Sequence, residues 1–550
     1  MQLSPAHELK SFEQQAIKMY FDQFGIKDFM LFQAQGLPAY ITQNAYDKEE
    51  SSFKKIVKEI PLSEVPEGAN VITSHVLYRV KICDDGSHIM KARIAPHGNK
   101  DCEKSNLKTD SATCPPVGIR LLLSLASIHK WPIAKVDFKS AFLQTGEAKR
   151  DVYVVPPREC ATKSCYWLLL TAAYGLVNAN AKWQDHIDNF LFGLGLSQLV
   201  YVPQLFYKIE NDILSIAAVK VVDDILLCGE RRYVQDIIDL ISNSYELGTI
   251  LFGPGTIIFF GMTITQSDDY VITIHADDKL ESMQPFPLTR LRRKEIDDAL
   301  NDVELSAFRS LNSSIGWMGI AASPFCALTA SYLQQKGPHP TVRDLVTQTN
   351  MLRTLKRLGS VIKFKTPSRG EYDLSILLFA DASRRIDHGQ IGYLSGLLFG
   401  PIGEGATFHL MSWTSHKSKR PVKSIGAAEI LAAGAAIDEG KMLVKAYEKL
   451  LNVSVAHIVA VDSKDLFTTL STCRNATDRS IRADVSVIRY EFETRNVSTM
   501  IWLPGKSNLA DPLTKPDSPL ELPLQLMMFS GEIPVSFTET MFRHSDQSTG

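Results

Sequence analysis

Seven acidic residues fall into two groups whose spacing could serve chemistry at phosphorus. In the first group, Asp137 closes the apolar run PIAKVD, and Asp223 and Asp224 stand between the apolar halves of ILSIAAVKVVDDILLC. In the second, Asp381 ends the run ILLFAD, Glu429 lies within the helical pattern GAAEILAAGAA, Asp462 ends HIVAVD, and Asp511 opens a short C-terminal helix. Carboxylates that converge from separate elements can hold two divalent cations about 4 Å apart, which together stabilise the attacking and leaving oxygens of an in-line displacement. Oxygen-only donors suit Mg²⁺, with Mn²⁺ as the alternative. An Asp-Asp pair between apolar runs is also an ordinary turn, and one acid at a strand end is uninformative. Order and number carry the weight.

These acids need elements to position them. From Val71, short strand-like pieces begin: VITSHVLYRVKI and HIMKARIAP, with Asp85-Gly86 between them as a hairpin signal. Pro115 and Pro116 precede VGIRLLLSLASIHKW, where Leu121, Leu122, Leu125 and Ile128 recur at helical spacing. A helical pattern led by Tyr174-Gly175 covers 174–195, and the acids Asp223 and Asp224 join two buried strands. The charged stretch 265–300, which contains PFP, reads as a linker, and 305–358 as a helical zone. After Leu374 come three strands, a long helix from about Ser424 to Leu450, then a strand, a helix, a strand and a short helix. Such alternation is an α/β layer with its own core.

The 550 residues are too many for one core and suggest three or four domains. A hydrophobic content of 45% with 22% charged residues describes a globular chain. The start MQLSPAHELK carries no basic-then-apolar leader, and no apolar run approaches the ~18 residues of a membrane span. Eight cysteines without paired metal-ligand spacing read as reduced thiols of an intracellular protein. A net charge of −2 gives no global nucleic-acid signal; the cations are local, as in Arg290, Arg292, Arg293 and Lys294, or Arg353, Lys356 and Arg357.

In order along 75–265, the segments KARIAPHG, PPVGIRLLLSLA, VDFKSAFL, YVVPP, YGL…W and VVDDIL resemble the reverse transcriptase of copia-type LTR retrotransposons. Over 374–515, FADAS, SWTSHKSKR, GAAEILAAGAA, VDSKD and WLPGKSNLADPLTK resemble the ribonuclease H of the same polyproteins. The resemblance implies an α+β and α/β multidomain chain, with a right-hand polymerase of fingers, palm and thumb, a helical connection and a five-stranded ribonuclease H-like domain. It divides the chain into a lead-in (1–70), fingers and palm (71–265), a thumb- or connection-like region (266–370), the nuclease (371–515) and a tail (516–550). Asp137, Asp223 and Asp224 would hold the polymerase metals, and Asp381, Glu429, Asp462 and Asp511 those of the nuclease, two Mg²⁺ per site. Lys91 and Arg93 would grip the triphosphate, Phe142 would exclude a 2′-hydroxyl, and Asn178 would stand where the family holds the nucleotide with glutamine. Asp484 occupies a family position outside the metal set.

Two departures stand out. The aromatic that precedes Val-Asp-Asp in the family is Val221, and Leu-Lys-Gln-Ala-Pro is replaced by Leu176-Val177-Asn178-Ala179-Asn180. The implied function is RNA- and DNA-directed DNA synthesis with cleavage of RNA in RNA–DNA hybrids. Its partners would be RNA template, hybrid, DNA primer, dNTPs and other products of the polyprotein, with no membrane, in a cytoplasmic particle or the nucleus. The second reading is a degenerate or repurposed relic that binds nucleic acid without efficient catalysis: the motif B changes favour it and seven intact acids oppose it. A recombinase on the nuclease fold would not carry the first acid group. Without a recognisable protease, integrase or zinc knuckle, the chain reads as one end of a polyprotein or a fragmentary gene copy.

Overall fold

The structure, a computed structural model, describes residues 13–20, 28–29, 37–82, 87–146, 148–368, 373–384, 388–472, 478–537 and 542–543. The expected turn at Asp85-Gly86 lies outside the described residues. The chain forms two compact units, one of 1–112 with 138–195, the other of 113–137 with 196–550.

The first unit is built on a six-stranded sheet. Val71–Ile82 pairs antiparallel with His88–Pro96 and parallel with Tyr153–Val155, which continues through Cys165–Leu169 to Val57–Pro61. Val57–Pro61 therefore ties the region before residue 71 into this sheet. The helix Ala39–Phe53 buries Ile41, Tyr46 and Phe53. Gly175 sits at φ 92°, and a Cβ there would stand 2.2 Å from Pro96 O, so only glycine allows this approach.

The second unit holds three sheets. One runs Leu247–Phe252, Ile133–Phe138, Asp224–Gly229, Ile213–Val221, Leu205–Glu210, Ser197–Gln198. Behind it lies the helix Pro116–His129, which starts with proline at its first turn, where a missing N–H costs nothing. Residues Gly118 to Ser127 of this helix are all buried, so it has no solvent face. A four-stranded antiparallel sheet follows, made of Gly255–Phe259, Met262–Gln266, Ile272–His275 and Ile362–Phe364. Ile272–His275 and the helix Asp277–Ser282 fall in the stretch that reads as a linker. The helical zone is three helices, Asp302–Ala321, Ala327–Lys336 and Val342–Leu358; the first opens with an Asn301–Glu304 capping box.

The last sheet orders Phe408–Lys417, Gly389–Phe399, Leu374–Arg384, Ala456–Val461, Thr499–Trp502 and Phe542–Arg543. The first three strands are antiparallel, and Leu374–Arg384, Ala456–Val461 and Thr499–Trp502 run parallel. The 27-residue helix Ile425–Leu451 packs on it, capped by Ser424 at one end and by left-handed Asn452 at the other. Alanines along this helix permit close packing on the sheet. Gly440 is required outright, because a Cβ there would fall 2.1 Å from His457 Nε2.

Candidate functional sites

Asp137 and Asp224 are direct cross-strand partners in the register between Ile133–Phe138 and Asp224–Gly229. Asp223 occupies the hairpin tip after Val222, whose φ of 55° turns the chain through the left-handed region. Lys135, two residues before Asp137 and so on the same face of its strand, places Nζ 3.0 Å from Asp224 Oδ1 and donates to Ile258 O at 3.0 Å. Burial pushes the Asp224 carboxyl up; Lys135 opposes this, and the neighbouring Asp223 and Asp137 add to it. On the far side, Gly248 leaves room for Asp137: a Cβ would stand 2.2 Å from its Oδ2. Neither Lys135 nor Gly248 announces itself in the sequence, since each acts on a residue that only the sheet brings near.

The four residues expected to contact substrate lie in the first unit. Lys91 and Arg93 are exposed on His88–Pro96. The Arg93 guanidinium stacks 4.8 Å over the ring of Tyr174, and Phe142 meets that ring edge-on at 4.8 Å and 79°. Asn178 precedes the helix Ala179–Gly193, is buried, and leaves its Oδ1 without a hydrogen-bond partner.

In the last sheet, ligand oxygens of Asp381, Glu429 and Asp462 lie within 4.8 Å of one another. Among the described residues this is the one set of three or more His, Cys, Asp or Glu at that spacing; Asp137, Asp223 and Asp224 do not form such a set. Asp381 sits mid-strand, fully buried, beside the parallel strand whose end carries Asp462. Burial first, then the mutual repulsion of the acids, pushes Asp381 up to about 6 and Glu429 up to about 9, and raises Asp462. Glu429 Oε2 is buried without a hydrogen-bond partner. A largely buried cluster of carboxylates with an orphaned oxygen is electrostatically incomplete, and its all-oxygen donors suit a hard divalent cation. Asp511 is not one of the three converging acids but is joined to Asp381 through Lys515. Its Oδ1 is held by Lys515 at 2.5 Å and its Oδ2 accepts from the Ser518 hydroxyl. Asp484, outside the metal set in the sequence reading, is ion-paired to Arg420.

Some of the local cations are structural. Arg292 is occupied by Glu304, Glu295 and Asp298, and Lys365 by Glu532.

Residues 58–296 match the family model described as "Reverse transcriptase (RNA-dependent DNA polymerase)". These residues are similar to a reverse transcriptase domain. The chain is 23% identical over 475 residues to the "Retrovirus-related Pol polyprotein from transposon RE1" of Arabidopsis thaliana, covering 82% of this chain and 31% of that protein. It is 22% identical over 474 residues to the RE2 polyprotein of the same plant, with the same 82% and 31% coverage. It is also 24% identical over 324 residues to the "Putative transposon Ty5-1 protein" of Saccharomyces cerevisiae, covering 54% of this chain and 98% of that one. The copia-type retrotransposon resemblance of the reverse transcriptase motifs thus holds. The chain spans about a third of the length of the two plant polyproteins. No helix among the described residues is long and apolar enough to cross a membrane.

Proposed function

We propose that this reverse transcriptase copies retrotransposon RNA into DNA and that its last sheet is a ribonuclease H acting on the resulting RNA–DNA hybrid. The observation that carries the polymerase reading is the direct cross-strand pairing of Asp137 with Asp224 inside the matched domain. The convergence of Asp381, Glu429 and Asp462 supports the nuclease.

In the polymerase, Asp137, Asp223 and Asp224 would hold divalent cations. Lys135 fixes the Asp224 carboxylate against its strand, so the site enters the reaction already oriented. By the same resemblance, Arg93 and Lys91 would grip a triphosphate and Phe142 would exclude a 2′-hydroxyl. In the nuclease, Asp381, Glu429 and Asp462 would hold a cation, with Asp511 beside them. Bound there, a divalent cation lowers the pKa of a coordinated water and offsets charge developing on phosphate. Recognition by 2′-hydroxyl and duplex shape, instead of base sequence, follows from that substrate. RNA template, DNA primer, dNTPs and hybrid are the proposed partners, along with other products of the polyprotein, in an intracellular setting.

The test is primer extension on an RNA template with Mg²⁺ beside cleavage of a labelled hybrid. Asp223→Asn abolishes extension and spares cleavage, and Asp462→Asn does the reverse. If the unmutated chain binds hybrid but neither extends nor cuts, the reading fails in favour of a binding relic.

A further inference from the structure

Three acids of the nuclease centre meet at one point, and the fourth, Asp511, is ion-paired beside them. What engages it is a cation from the chain itself. Lys515 follows Asp511 by four residues on a tight turn, where its backbone N–H donates to Asp511 O at 3.0 Å. The turn delivers its Nζ to Asp511 Oδ1 at 2.5 Å and to Asp381 Oδ1 at 3.3 Å. The charge is also felt at Glu429 and Asp462. The remaining Asp511 oxygen accepts from Ser518, and the remaining Asp381 oxygen from Thr514. The Asp381 and Asp511 side chains are 1% and 12% exposed, whereas Lys515 is 44% exposed. The ammonium therefore bridges two buried carboxylates and still reaches solvent.

The ammonium sets positive charge 2.5 and 3.3 Å from an oxygen of each of two carboxylates, in the space that a bridging metal ion, at about 2.1 Å from each oxygen, would need. Two such charges cannot share the position without strong repulsion. We infer that Lys515 is a resident cation of the nuclease centre, standing where a second metal ion would bridge Asp381 and Asp511. The centre then takes one divalent cation, at Asp381, Glu429 and Asp462. This rests on the nuclease reading above and narrows it. Lys515 is a positioning residue: it holds Asp511 and Asp381 and offsets the charge of the cluster.

The experiment counts ions in the full chain carrying Asp137→Asn, Asp223→Asn and Asp224→Asn, which removes the polymerase acids. Mn²⁺ is titrated by calorimetry and by electron paramagnetic resonance, and hybrid cleavage is followed against Mg²⁺ concentration. One Mn²⁺ binds, and it is lost on adding Asp462→Asn. With Lys515→Met a second Mn²⁺ binds, cleavage falls by about a hundredfold at low Mg²⁺, and the Mg²⁺ requirement rises. Lys515→Arg keeps one ion and recovers cleavage to within about tenfold. Two ions in the Lys515 chain, or an unchanged ion count and Mg²⁺ dependence in Lys515→Met, overturn the inference. Should Lys515→Met not fold, two ions in Lys515→Arg overturn it equally. Absence of cleavage in every chain, unmutated included, defeats the nuclease reading, and the ion count still decides the role of Lys515.

Discussion

Replacing Glu429 with glutamine should stabilise the metal-free protein while abolishing hybrid cleavage. One carboxylate oxygen of Glu429 accepts from the Ala382 backbone N–H, and the other is buried without a partner near Asp381 and Asp462. Burial and those two acids lift the carboxyl from 4.5 to about 9. The folded state therefore holds this proton more tightly than the unfolded chain, and stability falls as pH rises from about 4.5 to about 9. At about 1.4 kcal/mol per pH unit, the wild type at pH 7 has lost about 3 kcal/mol relative to a side chain that never ionises. Glutamine does not ionise. It retains the acceptor for Ala382 and turns an amide donor toward the two aspartates. Unfolding in EDTA, followed by urea midpoints from pH 4.5 to 9, should show no difference at the acid end and a growing advantage for Glu429→Gln above it. With Mg²⁺ the order reverses, because only the wild type gains a bound ion. A variant no more stable than the wild type in EDTA at pH 7 to 8 would refute the electrostatic account of the cluster.

Gly248→Ala should lower primer extension by about a hundredfold, since its Cβ would stand 2.2 Å from Asp137 Oδ2 and must displace it; equal loss of hybrid cleavage would show a general folding defect instead. His409 and His457 are buried and His129 is half-buried, and desolvation holds each down to about 4. The unfolded chain takes up these protons first, so stability declines as pH falls from about 6.5 to about 4, by as much as about 3 kcal/mol each, and a urea midpoint flat across that window would contradict it. Arg120→Ala strips donors from the carbonyls of Met411, at 2.6 Å, and Ala321, at 3.0 Å, and leaves Trp413 without the guanidinium 4.1 Å above its ring. A loss of about 3 kcal/mol or more should appear in thermal unfolding of the second unit; a change below about 0.5 kcal/mol would mean that water replaces the guanidinium.

Much of both acid groups was legible in the sequence because strand ends and helix faces are local patterns. The run ILSIAAVKVVDDILLC fixes its own hairpin, and HIVAVD fixes where Asp462 emerges. The residues that tune those acids were hidden for the opposite reason. Lys135 is paired with an aspartate 89 positions away, and Gly248 acts on Asp137 across a sheet edge. Lys515 is close to Asp511 in sequence, yet its significance lies in Asp381, 134 residues distant. Ile272–His275 and Ile362–Phe364 escaped notice because each is only a few residues long, and they pair across 90 residues of helices. Charge in 265–300 suggested solvent exposure, but the apolar residues of Ile272–His275 alternate inward.

The buried helix Pro116–His129 explains why the sheet carrying Asp381 and the sheet carrying Asp137 share one core. A helix with no solvent face needs partners on every side, and the strand Phe408–Lys417 supplies one. Apolar contact alone would tolerate sliding along that surface. Buried polar groups do not. Tyr447 donates to Ser124 at 2.8 Å, Ser124 donates to His409 Nδ1 at 2.8 Å, and His409 Nε2–H donates to Lys365 O at 2.7 Å. This chain needs neutral His409 in a single tautomer, which agrees with its depressed pKa. Arg120 adds donors to strand and helix carbonyls that no shifted register would present. Each unpaired group would cost about 1–3 kcal/mol, so the network selects one docking of the last sheet on the helix behind Asp137. One helix thus packs both on the strand that begins with Asp224 and on the edge strand of the sheet that carries Asp381, so a change in its register would be felt by both sheets.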